Sequence, residues 1–157
     1  MAILGSVALL LSGIGIAYLL ARDAERCVAC TRALLALVRF TRNCVSMYSM
    51  SASEILKKCE AELLDGCGYP NEAPLPASFS ELFLNCEIPD KESRVAFSDF
   101  ADGFGTAYRA EEILRCEDCI EKLRKREMYL TSALPSKKKM IYSVSLCSAL
   151  SLLILLL

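Results

Sequence analysis

The stretch AERCVACTRALLALVRFTRNCVSMY, Ala24 to Tyr48, decides the fold. It contains neither Pro nor Gly, and Cys27, Cys30, Leu34, Leu37, Thr41, Cys44 and Tyr48 recur at alternating steps of three and four. That period makes one apolar stripe on an α-helix, with Arg32, Arg39 and Arg42 projecting from the other side. Ala107 to Leu134 repeats the pattern: Ile113, Cys116, Ile120, Leu123, Leu130 and Leu134 form the stripe, and Glu117, Glu121, Arg124 and Lys125 stand away from it. Only Glu127 interrupts this second stripe, which predicts an ion pair between it and an arginine of the first helix.

Shorter helices are expected in between. Ser51-Ala-Ser-Glu54 reads as a capping box opening a helix to about Asp65, with Gly66 placed to end it. Gly66 to Ser78, GCGYPNEAPLPAS, holds three prolines and two glycines and reads as a loop. Its length suggests an exposed excursion or a contact surface. A short helix is expected over Phe79 to Asn85. Pro89-Asp90 then opens another to about Phe104, with Phe97, Phe100, Ala101 and Phe104 on one face. No alternating β-branched run appears, so the expected class is all-α, a helical bundle without internal repeats.

The two ends of the chain differ from this middle. The 21 residues from Met1 to Ala21 and the 18 from Met140 to Leu157 carry no charge, and all 18 basic and 19 acidic residues lie between them. At about 1.5 Å per residue the first run reaches across a hydrocarbon core of about 30 Å, and the second stands at the short limit. Three segments follow: a transmembrane helix over residues 1–21, a helical domain over 22–139 and a second transmembrane helix over 140–157. A cleaved signal peptide would carry its positive charge before the apolar run, whereas here Arg22 and Arg26 follow it. Those arginines, with Lys137, Lys138 and Lys139 before the second run, predict a cytoplasmic domain and both termini on the far side. Gly13 and Ala17 on the first run, and Ser143, Cys147 and Ser151 on the second, make small-residue faces through which the spans are expected to associate with partners in lipid.

Nine cysteines raise the question of metal. Cys27-Val-Ala-Cys30 and Cys116-Glu-Asp-Cys119 have the spacing of a four-thiolate zinc site. If the two long helices run antiparallel, however, the pairs stand about 15 Å or more apart along the axis. The expectation is therefore no metal and no cofactor, with cysteine serving as a small core hydrophobe; a membrane-tethered metal or redox sensor is the alternative. The chain has no histidine, the commonest general base, and no phosphate-binding glycine pattern. Glu111-Glu112 and Glu117-Asp118 read as solvated helix faces. A net charge of −1 lacks the field of a nucleic-acid binder. Neither an enzyme nor a small-molecule substrate is expected.

The order of an uncharged span, a basic exit, a long helix, SASEIL at residues 51–56, FADGFG at 100–105, a charged helix and a final span entered through KKKMIYSVSLCSALSLLILLL resembles the stage III sporulation protein AB family of endospore-forming bacteria. The likeness covers nearly the whole chain and is most telling from Phe97 to Leu157; the Pro-rich loop and the cysteine content depart from it. Family members in turn resemble the cytoplasmic helical domains of the type II secretion platform protein F. The resemblance implies a component of the channel between mother cell and forespore, seated in the mother-cell membrane around the forespore. There it would serve as a platform for a cytoplasmic secretion-type ATPase, the stage III sporulation protein AA, beside other membrane proteins of the complex. The dense mixed-charge face of the last helix, with Arg109, Glu111, Glu112, Arg115 and Asp118, is the expected contact.

Overall fold

A computed structural model describes the backbone of residues 2–48, 50–70 and 72–156; the side chains of residues 1–11, 49, 71, 149, 152, 153 and 155–157 lie outside the described residues. Among the described residues six helices follow in order: α1 (Ala2–Tyr48), α2 (Ala52–Lys58), α3 (Ala61–Gly66), α4 (Phe79–Asn85), α5 (Lys91–Gly103) and α6 (Arg109–Leu156). The chain forms two compact units, one of Cys27–Tyr129 and one of Met1–Arg26 with Leu130–Leu157.

The larger unit is the expected all-α bundle. The α1 stripe is buried at Cys30, Leu34, Leu37, Thr41 and Cys44, and the α6 stripe at Cys116 and Leu123, with Cys119 buried beside them and Ile113, Ile120, Leu130 and Leu134 of the expected stripe only half-buried. Arg32 meets Glu127 at 3.0 Å and Arg42 meets Glu117 at 2.8 Å, so the two helices run antiparallel in one register. The predicted partner of Glu127 is thus Arg32. The phenylalanine face of α5 closes the core, with the Phe79 ring of α4 edge-on to Phe100 at 5.2 Å and to Phe104 at 4.8 Å.

Local chemistry sets the helix starts. Ser51 and Glu54 form the capping box that opens α2. Ser78 caps α4 by accepting from the Glu81 N–H, and Asp90 caps α5 by accepting from the Ser93 N–H. The helix expected from Ser51 to Asp65 is instead two, parted by extended backbone at Cys59 and Glu60. The break brings Leu64 and Cys67 into the core with Ile55 and Leu56, and that burial outweighs helix propensity. The loop after α3 is no simple excursion. Tyr69 and Pro76 are buried, and the Tyr69 hydroxyl donates to the Pro74 carbonyl at 2.5 Å.

The smaller unit pairs the first part of α1 with the last part of α6, also antiparallel: Ser145 Oγ donates to the Gly13 carbonyl at 2.6 Å and Lys138 pairs with Glu25. This pairing carries the unit to Arg26 and Leu130, because Ala24 and the Glu25–Lys138 pair extend it beyond the apolar runs. Pro135 lies inside α6, where it supplies no N–H to the helix ladder. Among the described residues no helix is long and apolar enough to cross a membrane. Residues 1–11 of the first expected span and 149, 152, 153 and 155–157 of the second have side chains outside the described residues.

Candidate functional site

On α6 the five residues expected to share a charged face divide. Arg109, Glu111 and Asp118 are exposed, and Asp118 pairs with Lys122 at 2.8 Å. Glu112 is not on that surface: it is 5 % exposed. Its Oε1 accepts from the backbone N–H groups of Gly105 at 2.9 Å and Ala107 at 3.0 Å, so the carboxylate organises the α5–α6 connection from within. Arg115 is half-buried, its guanidinium lying over Gly103. The sequence carries a signal for this that periodicity alone could have found. Glu112 stands four residues before Cys116, in line with Cys116, Cys119 and Leu123 on the inward stripe.

Around Glu112 a cavity of 380 Å³ is lined by Val45, Met50, Ala52, Phe104, Ala107 and Arg109 among others. Arg109 lies at this end of the bundle because its guanidinium donates to the Ser46 carbonyl at the end of α1. A second hollow, an open groove of 880 Å³, runs along α5 and α6 between Val95, Ala96 and Tyr129 under Lys91, Lys122 and Lys125. Its rim is occupied by ion pairs, Lys122 with Asp118, Lys125 with Glu121, and Arg126 with Asp90 and Glu92.

The CxxC pairs do not converge. The register fixed by Arg32–Glu127 and Arg42–Glu117 sets Cys119 level with Phe40 and Cys30 level with Tyr129, about ten residues or 15 Å apart on the axis. Cys30 Sγ approaches the Cys67 carbonyl at 3.6 Å, whereas Cys119 Sγ approaches that of Ala96 at 3.5 Å. Among the described residues no three histidine, cysteine or acidic side chains are grouped to hold a metal ion. Burial pushes the thiols of Cys86, Cys116 and Cys119 up to about 12 and that of Cys59 to about 11, and raises Cys67 as well.

In the smaller unit Ala17, Ala21 and Ala24 are buried and Gly13 is half-buried, so small residues of α1 face its partner helix. From α6 it is Ile141 and Ser145 that turn inward. Ser143, Cys147 and Ser151 are exposed on the other side, with Ser151 Oγ donating to the Cys147 carbonyl. The large apolar side chains also point outward: Ile14, Ile16, Leu19, Leu20, Val144, Leu146 and Ile154 are all exposed. No family model matches the chain, no curated protein matches it, and no solved structure matches it.

Proposed function

We propose that this chain is a non-enzymatic platform component of the mother cell to forespore channel, anchored in the mother-cell membrane by its two apolar ends. Its helical domain lies in the cytoplasm and docks a secretion-type ATPase. The supporting observation is the packing of the smaller unit, in which Ala17, Ala21 and Ala24 are buried while Ile14, Ile16, Leu19, Leu20, Val144, Leu146 and Ile154 are exposed. A helix pair in water buries its large apolar groups, whereas a pair in lipid packs through small residues and gives the large ones to the acyl chains. The uncharged ends and basic flanks add the orientation. The partner comes from the resemblance to the stage III sporulation protein AB family.

With Glu112 turned inward, the contact reading rests on the exposed charges Arg109, Glu111 and Asp118, with Glu121 and Arg124 continuing the same helix. Exposed polar contacts are screened by salt and change mainly the rate of association. The test is co-elution of the full chain, purified in detergent, with the stage III sporulation protein AA. Binding should weaken as salt rises from about 0.1 to 0.5 M, and Glu111→Lys with Asp118→Lys should weaken it further. Absence of association at about 50 µM, or binding indifferent to both substitutions and to salt, would overturn the platform reading.

A further inference from the structure

On one flank of the smaller unit, charged, phenolic and aliphatic side chains are stacked in that order. On α1, Tyr18 and Arg22 each stand one residue after a buried alanine, Ala17 and Ala21. On α6, Tyr142 and Leu146 each stand one residue after an inward-turned one, Ile141 and Ser145. One residue is a rotation of about 100°, and in an antiparallel pair that rotation reaches the same side of both helices. Ile14 lies one turn before Tyr18, and Lys139 one turn before Tyr142. The register set by Ser145 with the Gly13 carbonyl and by Lys138 with Glu25 brings Arg22 level with Lys139, Tyr18 with Tyr142 and Ile14 with Leu146, each to within about two residues. All six side chains are exposed, and successive rungs are about 6 Å apart.

The charged rung is open to an anion. Among the described residues neither Arg22 nor Lys139 is in an ion pair, whereas Lys138 is held by Glu25. The only other acid of the unit, Asp23, is turned about 100° further from this flank than Arg22. We infer that the flank binds one anionic phospholipid, its phosphodiester held between Arg22 and Lys139, its ester region beside the hydroxyls of Tyr18 and Tyr142, and its acyl chains along Ile14 and Leu146. Guanidinium and ammonium groups donate charge-assisted hydrogen bonds to phosphate oxygens, and amphipathic phenol rings belong at the depth just below them. A zwitterionic lipid offers the same phosphate but brings a cation of its own, which Arg22 and Lys139 oppose, so the preference is for a lipid of net negative charge. The inference rests on the membrane reading of the smaller unit.

The test places the full chain in phosphatidylcholine vesicles with a trace of spin-labelled phosphatidylglycerol or spin-labelled phosphatidylcholine, and reads by electron spin resonance how much of each label the protein immobilises. Phosphatidylglycerol should be preferred about fivefold. Arg22→Gln and Lys139→Gln should each cut that preference about twofold or more, and the two together should bring it to parity. Lys137→Gln removes the same charge from the opposite flank and should leave most of the preference in place. Sodium phosphate substituted for chloride at equal ionic strength should also leave it in place; its loss there would assign the cations to free phosphate and overturn the lipid. Equal losses from Lys137→Gln and Lys139→Gln, or no preference in the parent chain, would overturn this inference and leave membrane anchoring standing. Failure of the chain to float with phosphatidylcholine vesicles would overturn both.

Discussion

Arg126 holds both carboxylate oxygens of Asp90, Nε to Oδ2 at 3.0 Å and an Nη2 to Oδ1 at 2.7 Å, and so ties the start of α5 to the middle of α6. The same Oδ2 accepts from the N–H and the hydroxyl of Ser93, and the Ser93 hydroxyl in turn meets Thr31 of α1 at 2.8 Å. Three helices therefore share one buried polar network. Asp90→Ala should cost about 3–4 kcal/mol, because it removes a cap and leaves the guanidinium's inward nitrogens unpaired. Asp90→Asn still caps and should cost roughly half as much. Urea unfolding followed by far-ultraviolet circular dichroism reads both. A loss below about 1 kcal/mol for Asp90→Ala would reduce the pair to the rank of Arg32–Glu127, an exposed bridge whose arginine side chain is 62 % accessible.

The same pair sets a pH dependence. Burial works to raise the Asp90 pKa, but the hydrogen bonds from Arg126 and Ser93 and the guanidinium charge outweigh it and hold the carboxyl below its ordinary 3.8. A depressed folded pKa contributes stability above the unfolded value, and that contribution fades as pH falls through the folded one. Between about pH 5 and pH 2 the native chain should lose more stability than Asp90→Asn, whose side chain does not titrate. Parallel acid-limb slopes in the two proteins would show that Asp90 is not the titrating contact.

What the residues disclosed in advance was local chemistry. Pro89-Asp90 announced the α5 cap, Ser51 and Glu54 the capping box, and the charge in the α6 stripe an arginine partner, since each depends on neighbours within a turn or on a simple helix register. The division of α2 from α3 depends on where Leu64 and Cys67 find a core, which no window around Cys59 contains. Glu112 is a different case: its place four residues before Cys116 puts it on the inward stripe, and only the compensation of its burial lies outside any window. Beside Glu111 it looks like half of a solvated pair, and its burial is compensated by the N–H groups of Gly105 and Ala107, which a folded connection must bring to it. Within the smaller unit Gly13 and Ala17 of α1 face α6, where Ser145 donates to the Gly13 carbonyl, and Ser143, Cys147 and Ser151 are exposed on the other side, the face that the sequence offers to a partner helix.

Two glycines with the same backbone sign should respond differently to a methyl group. Gly68 has φ of +85°, and a Cβ there would lie 2.5 Å from the Glu87 carbonyl oxygen, whose residue is held close by Glu87 N–H donating to the Gly68 carbonyl at 3.0 Å. Gly105 has φ of +91° with no atom within 4 Å of the same position. The left-handed conformation alone costs an L-residue about 1–2 kcal/mol. Gly105→Ala should lose about that much. Gly68→Ala should lose about 3 kcal/mol or more, since backbone must also move. Equal losses, measured by the same urea titration, would mean that the α3–α4 connection relaxes freely.

The proposed cytoplasmic placement of the bundle on a membrane can be tested with one added thiol. A thiolate is the reactive form, and burial keeps Cys86, Cys116 and Cys119 near 12, so these residues stay nearly inert to maleimide at neutral pH whichever side they occupy. A reporter must therefore be introduced. Leu84, on α4, is 80 % exposed and makes no part of the core, which makes Leu84→Cys a mild change with an accessible sulfur. On the proposed reading, drawn from the basic flanks Arg22, Arg26 and Lys137 to Lys139, this position lies in the cytoplasm. In intact cells an impermeant maleimide should label Leu84→Cys no more than the parent chain, whose remaining thiols, Cys27 and Cys147 included, set the background. Opening the membrane should then label the variant strongly above that background. Strong labelling of Leu84→Cys before the membrane is opened would put the bundle outside and remove the cytoplasmic ATPase as its partner.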